Sequence, residues 1–398
     1  MGCGALISTA YSYDTFSFTS IIGRGSFAVI KQAYHTPTRS KYAAKVINIQ
    51  KTIQRDGGLY ILQQELEAHK ILTHHTYICN LYYAFHDNTD CVLILDLLDG
   101  GDLRLYIKEN TMYTEHSVAF IAACIASALN HVHQHGVIHR DVKPENIVLD
   151  GRGYPRLIDF GISHSMGAIC TARSGTVGYL APEVLTSSHF HSFESDFWSL
   201  GVVVFELLYS TRPFYRHCPK YYVKYSEKNY RPLWESRQLK AMNVLDTPNG
   251  VEEERTLCAS SKEDSIGLNL PPELEVPVPM ILHCGERPSI ACLSLIRGLL
   301  DVRITHRLGA GNNYIKLQHH HFFCDISWQT LSSRKIKSPL HVDVARVRRI
   351  LEKTYSGTTD ASFSSSADVP PAESNCSCDI QDVLQKYDYY HLSTKCEI

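Results

Sequence analysis

The chain has 398 residues, 44% apolar and 20% charged, with a formal net charge of −2. That length exceeds one typical domain, the composition is that of a globular protein, and the lack of a basic surplus argues against a nucleic-acid binder. Apolar runs such as "FIAACIASAL" at 120–129 are too short to span a bilayer, and no charged start followed by an apolar segment suggests a secretory leader. Thirteen cysteines, an odd number, lie scattered in apolar stretches, as at Cys124 and Cys292. They fit small apolar fillers in a reducing, cytoplasmic compartment better than a disulfide framework. The histidines of "HVHQH" (131–135) and "HHH" (319–321) lack the ligand spacing of a zinc site.

In chain order, residues 1–14 form a small, nearly uncharged arm. From 15 to 95 the pattern is strand-like: "FSFTSIIGRGSFAVIKQAYH", "KYAAKVINI", "NLYYAFHD" and "CVLILDLL". One helical stretch interrupts it at 59–72, where apolar residues recur at three and four. Helical stretches dominate from about 103, notably 114–134, 195–209 and 289–300. Strands first and helices after predict a small sheet-rich lobe followed by a larger helical one. Residues 217–286, rich in Tyr, Lys, Glu, Ser and Pro, break the periodicity, and so long a stretch is expected to be functional or disordered. Residues 324–398 form a tail, Ser/Pro-biased at 356–378 and expected to be partly disordered.

Four stretches carry chemistry. In "IIGRGSFAVIKQAY" the glycines Gly23 and Gly25 let the backbone approach a bound group and offer N–H donors to phosphate, although ordinary hairpins use the same residues. Lys45 sits on an apolar strand. Such a lysine is normally a solvent residue, unless a carboxylate of the next helix, Glu65 or Glu67, holds it toward a phosphate. "GVIHRDVKPENIVLD" (136–150) sets Arg140, Asp141, Lys143, Glu145 and Asn146 between apolar flanks, which suits a rigid turn at the mouth of a cleft. In "RLIDFGIS", Asp159 ends a buried strand. Asp159 and Asn146 are suited to share Mg2+ with phosphates, Asp141 to take the proton of an incoming hydroxyl, and Lys143 to neutralise the transferred group. With "APE" at 181–183 the set, in this order, is that of phosphoryl transfer.

These motifs resemble the eukaryotic protein-kinase family over about residues 15–323, of the serine/threonine type because "HRDVKPEN" carries Lys143. The AGC group is suggested by "LLDGGDLR" (97–104) and by the exit "HHHFFCDISWQTLSSRKIKSPL". "DLL.GGDLR" and "DI.W" are similar to the YANK subfamily. The resemblance implies an α+β, bilobal protein-kinase fold: a small antiparallel-sheet N-lobe at 15–95 with one main helix and a larger, mainly helical C-lobe at 96–323. It implies ATP as co-substrate, with Mg2+ or Mn2+, and protein substrates. Gly23, Arg24, Gly25, Ser26 and Phe27 would cover the phosphates. Ile30, Ala43 and Val148 would enclose adenine, with Leu95 as gatekeeper, the backbone of Asp96 to Leu98 supplying hydrogen bonds, and Asp102 facing the ribose. Thr176 would bond Asp141 and Lys143, Asp196 would brace the catalytic loop, and Arg307 would pair with Glu183. Acids at Asp102, Glu145 and Glu206 imply a basophilic enzyme that takes arginines upstream of the phosphorylated residue.

Several positions depart from the family pattern. Ala28 replaces the third glycine, and with Glu65 as the lysine partner His69 falls where relatives place an apolar residue. The usual activation-segment phosphosite position is Ala172, leaving Thr171 and Ser174 as neighbours and Arg140 as the natural partner of a phosphate. No hydrophobic motif is evident in the tail, although "YDYY" (387–390) has aromatic spacing. "MGCGAL" offers Gly2 for myristoylation and Cys3 for palmitoylation, hence peripheral membrane attachment, weakened by Leu6 where Ser or Thr is expected. The resemblance makes 217–286 an insert carrying a partner site or disorder, since it falls where relatives connect two helices, and the alternative to an active kinase is a pseudokinase scaffold that binds partners through insert and tail. A small-molecule phosphotransferase is disfavoured by Thr176 and "APE".

Overall fold

The computed structural model describes residues 15–25, 28–54, 58–72, 74–87, 89–165, 174–185, 191–213, 281–309, 311 and 313–355. Gly2, Cys3, Ser26, Phe27, Thr171, most of the 217–286 insert and the tail beyond 355 lie outside them. Among the described residues two compact units separate. One draws on the ranges 1–111, 119–168 and 325–398, the other on 112–118 and 169–324.

In the first unit, β1 (Phe16–Arg24), β2 (Ala28–His35), β3 (Lys41–Asn48), β4 (Leu81–His86) and β5 (Asp90–Leu95) form an antiparallel sheet in the order β1-β2-β3-β5-β4. Side chains alternate across a strand, so β3 sends Ala43 and Ile47 to one face and Ala44 and Val46 to the other. The first face joins Leu93, Leu95, Leu62 and Leu66 in one apolar cluster, with Ile30, Leu98 and Ile158 at its margin. The second packs Phe16, Tyr83, Phe85, Val92 and Ile94 together. Lys45 shares the period of Ala43 and Ile47.

Two short helices follow β3: α1 (Ile49–Ile53) and α2 (Gly58–Leu72). On α2 the buried positions Leu62, Glu65, Leu66, His69 and Leu72 recur at three and four, one stripe of a helix turned to the core. The stripe includes a carboxylate and an imidazole, and both need polar or aromatic partners to be tolerated there.

Next come α3 (Leu103–Lys108), capped by Asp102 through its bond from the Leu105 N–H at 2.8 Å, and α4 (Glu115–Gln134). Four short strands follow: β6 (Val137–Ile138), β7 (Ile147–Leu149), β8 (Pro155–Leu157) and β9 (His164–Ser165). β6 pairs with β9 and β7 with β8. The two hairpin-like pairs pin the ends of the loops 139–146 and 158–163, so polar residues between them are held by apolar neighbours on both sides. The tail returns to this unit. The Tyr77 hydroxyl donates to Leu331 O and the Tyr154 hydroxyl to Arg334 O, while Ser338 Oγ donates to Gly153 O at 2.8 Å. With Val347 buried, a terminal helix packs on β1.

The second unit centres on α5 (Pro182–Leu185), α6 (Phe193–Tyr209), α7 (Ile290–Leu299) and α8 (Asn313–Gln318). α6 is buried along most of its length and packs on α7. They approach at Gly201, where a Cβ would come within 2.8 Å of Leu299 Cβ. Back in the first unit, the tail carries α9 (Trp328–Ser332) and α10 (Val344–Tyr355), the last helix among the described residues. Four of the cysteines, Cys79, Cys91, Cys124 and Cys292, are buried free thiols, and burial raises the pKa of each.

Candidate active site

β3 and α2 bring the first polar contact together. Lys45 Nζ donates to Glu65 Oε1, and to Asp159 Oδ1 at 2.8 Å. Glu67 faces outward and lies 3.9 Å from Lys70 Nζ instead. Helical geometry decides between the two glutamates: Glu65 stands in the Leu62–Leu66–His69 stripe and Glu67 does not. Burial alone would lower the Lys45 pKa, but Asp159 and Glu65 outweigh it and the net shift is upward. Lys45 in turn holds the Asp159 carboxyl below the usual range, against burial. Burial raises Glu65, with Lys45 drawing it back. One ammonium thus serves two carboxylates, and Asp159 keeps 44% of its side chain exposed.

Asp159 has φ +66°, left-handed backbone that a non-glycine residue adopts at a cost of about 1–3 kcal/mol. The following ring holds the turn. Phe160 is fully buried between two imidazoles, His69 at 5.2 Å and His139 at 5.1 Å between centroids, both edge-to-face. His139 Nδ1 accepts the Asp141 N–H at 3.3 Å, which leaves Nε2 to donate to Ile158 O at 3.1 Å. A single tautomer therefore ties the loop of Asp141 to the loop of Asp159.

In that first loop the Asp141 carboxylate meets Lys143 Nζ at 2.6 Å and Asn146 Nδ2 at 3.0 Å. Asn146 Nδ2 also donates to Asp141 O at 2.8 Å. With both amide hydrogens spent on Asp141, the Asn146 carbonyl oxygen is the atom left for a metal. Asp159 supplies carboxylate oxygen, so the donor set is all oxygen, as Mg2+ prefers. Among the described residues no group of three or more His, Cys, Asp or Glu forms a protein-only metal cage. Mg2+ shared with substrate phosphates needs none. Arg140, also left-handed at φ +68°, donates Nε to Ile162 O.

The described residues among those expected around a nucleotide fall along one strip of the first unit. Gly23 pairs with Ile30 across β1 and β2, and a Cβ on it would sit 3.2 Å from Ile30 Cγ1. Arg24 pairs with Val29, and Gly25 N–H donates to Ala28 O at 2.8 Å. Ala43 pairs with Leu95 across β3 and β5, and Asp102 bridges to Val148. Asp96 turns its carboxylate away from this strip to Asn80, Tyr82 and Arg156, the last at 2.9 Å. This network fixes the segment after β5. Sequence reasoning missed it, although Arg156 inside the apolar strand "PRL" was a signal that a buried acid was needed.

The second unit holds the remaining expected residues. Glu206, buried in α6, accepts the Tyr179 hydroxyl and lies 3.9 Å from Arg212 Nε. Ser174 Oγ is 3.5 Å from His191 Nε2, and Thr176 O accepts the Tyr179 N–H. Arg307 forks onto Glu183 at 2.6 and 3.0 Å and Asp196 is buried.

A protein kinase domain matches residues 16–323, most of the chain, and the chain belongs to the protein kinase family. The sheet described above is that family's antiparallel N-lobe, and the fold is the bilobal protein-kinase fold, α+β in class. The relatives are serine/threonine kinases of AGC-like and YANK type. Human serine/threonine-protein kinase 32C is 38% identical over 212 residues, 52% of this chain and 43% of that protein. Mouse serine/threonine-protein kinase Sgk3 is 30% identical over 333 residues, 83% of this chain and 56% of its own length. Serine/threonine-protein kinase Sgk1 of Xenopus tropicalis is 28% identical over 333 residues, 83% of this chain and 67% of its own. The chain therefore spans about half the length of several curated relatives it matches.

Proposed function

We propose that the chain is an active serine/threonine protein kinase that moves the γ-phosphoryl group of ATP to protein hydroxyls. The observation that carries this reading is the shared ammonium of Lys45, held by Glu65 and Asp159 in the same unit as the Asp141–Lys143–Asn146 cluster. Asp159 and Asn146 would hold Mg2+, which family membership implies, with Mn2+ as a substitute. Bound there, the ion would neutralise phosphate charge. Lys45 orients the phosphates, and the N–H groups around Gly23 and Gly25 cover them. Asp141 accepts the proton as the substrate oxygen bonds phosphorus and the bond to ADP breaks. Lys143, bound to Asp141, neutralises charge on the moving group.

Preference for arginine upstream of the target belongs to the same proposal, through Asp102, Glu145 and Glu206. So does Thr176 as the residue that orients a peptide hydroxyl. Membrane attachment rests on Gly2 and Cys3 in "MGC" alone. Unchanged membrane fractionation of Gly2→Ala would overturn it. The pseudokinase alternative loses ground because Lys45, Asp141, Asn146 and Asp159 are all present and all four are hydrogen-bonded in one cluster or the other. The deciding test is transfer of radiolabelled phosphate from Mg·ATP to a positional Ser/Thr peptide library, beside Asp159→Ala. Transfer that vanishes in the variant supports the enzyme. No transfer, and no thermal stabilisation by nucleotide, supports the scaffold.

A further inference from the structure

Asp102 and Glu145 are the two acids of the first unit assigned above to a substrate's upstream arginines, and neither stands alone. Arg104, in the first turn of α3, donates Nε to Glu145 Oε1 at 2.8 Å. Its charge also reaches Asp102. Burial first, then Glu145, pushes the Asp102 carboxyl up, against the Leu105 N–H, Lys108 and Arg104, and the net shift is upward. The other oxygen of Glu145, Oε2, is buried with no hydrogen-bond partner. A carboxylate is best matched by a guanidinium fork that meets both oxygens. Arg104 meets only one, so the carboxylate, on a side chain 42% exposed, is only half satisfied. The second unit repeats the theme independently. Arg212 lies 3.9 Å from Glu206 and over the Tyr179 ring, 5.5 Å from its centroid.

We propose that Arg104 is a specificity-determining residue: it occupies the acid subsite as an internal rival to an arginine of the peptide substrate. This deepens the kinase reading above and rests on it. A substrate guanidinium that reaches Glu145 must displace Arg104 or share one carboxylate with it, against like-charge repulsion. A neutral side chain in the same place meets no such opposition. The enzyme therefore selects basic sequences less sharply than its three acids alone would dictate. Arg104 works through Glu145 and Asp102 and does not touch the reacting atoms, so its removal alters peptide choice and leaves the chemical step in place.

The test uses the full chain and two fluorescent serine peptides, one with Arg at the second and third positions before the serine, one with Ala at both. Binding is read by polarisation in Mg2+ and a non-hydrolysable ATP analogue, for wild type, Arg104→Gln and Arg104→Lys. Arg104→Gln should tighten the Arg peptide roughly fivefold, the scale of a partly exposed ion pair, and leave the Ala peptide unchanged. The gain should shrink with added salt, and Arg104→Lys, which keeps the charge, should stay near wild type. Equal changes for both peptides, no gain for the Arg peptide, or a Lys variant that behaves like the Gln variant would each overturn the proposal. Binding is read without turnover. A failure of phosphate transfer in a parallel assay therefore counts against the kinase reading alone.

Discussion

Two buried ion pairs, one in each unit, differ in how completely their charges are used. Arg307 is fully buried and spends its guanidinium on Glu183 twice, on Glu194 O and on Asp301 O, with Trp198 beneath it. Every charge there is matched inside the protein, which is how a buried cation is tolerated. Lys45 instead divides one ammonium between Glu65 and Asp159, and Asp159 keeps much of its carboxylate exposed. A saturated pair joins parts of a scaffold, whereas an unsaturated one has capacity left for a ligand. The contrast separates stability from chemistry without appeal to sequence motif.

The largest effect expected is on rate. Asp141→Asn keeps the shape of the loop but removes the proton acceptor, and phosphate transfer should fall about 10²- to 10⁴-fold with the unfolding midpoint nearly unchanged. Arg307→Ala should do the reverse in kind. It strands the Glu183 carboxylate, and chemical denaturation should register a loss of about 3–5 kcal/mol. If Arg307→Ala left stability intact, the distinction between the two pairs would fail.

Within the Lys45 cluster the two glutamates part company. Glu65→Gln should lower kcat/KM roughly 10- to 100-fold by letting Lys45 drift from its place, whereas the outward-facing Glu67→Gln should stay within about twofold. Equal effects would mean that Lys45 is not held as described.

The remaining expected effect appears only in acid. His69 and His75 are held down to about 3, burial acting first in both, then Lys45 on His69 and His131 on His75. An unfolded histidine titrates near 6.5, so between these values the unfolded chain takes up protons that the native chain refuses. Stability should be full above about pH 6.5 and fall as pH drops toward 3, each histidine adding about 1.4 kcal/mol per pH unit to the slope. His75→Gln should flatten that slope in denaturation curves taken between pH 6 and 4.

Much of this was legible in the sequence. The strand pattern of 15–95, the helical stretch at 59–72 and the polar loops at 139–146 and 158–161 rest on local periodicity and on residue types grouped within a few positions. Glu65 was separable from Glu67 only by the stripe Leu62–Leu66–His69, because the strand-to-helix register is tertiary information. Arg156 with Asp96, and Arg104 with Glu145, join residues 60 and 41 positions apart; a charge in the apolar strand "PRL" signals that an acid is needed, but no local pattern says which. His69 was legible as a misfit, and its explanation, the edge of Phe160, lies 91 positions along the chain.

The tail that returns to the sheet-bearing unit has a consequence in time. Tyr77 and Tyr154 find their carbonyl acceptors at Leu331 and Arg334, and β1 its covering helix at Val344–Tyr355. On a ribosome that adds about 5–20 residues per second, residues near 155 emerge roughly 10–40 s before those near 345. Through that interval the nascent unit keeps two hydroxyls and one flank of its sheet uncovered. The first unit to begin folding is thus the last to close, and the final described helix acts as the clasp of a structure started more than three hundred residues earlier.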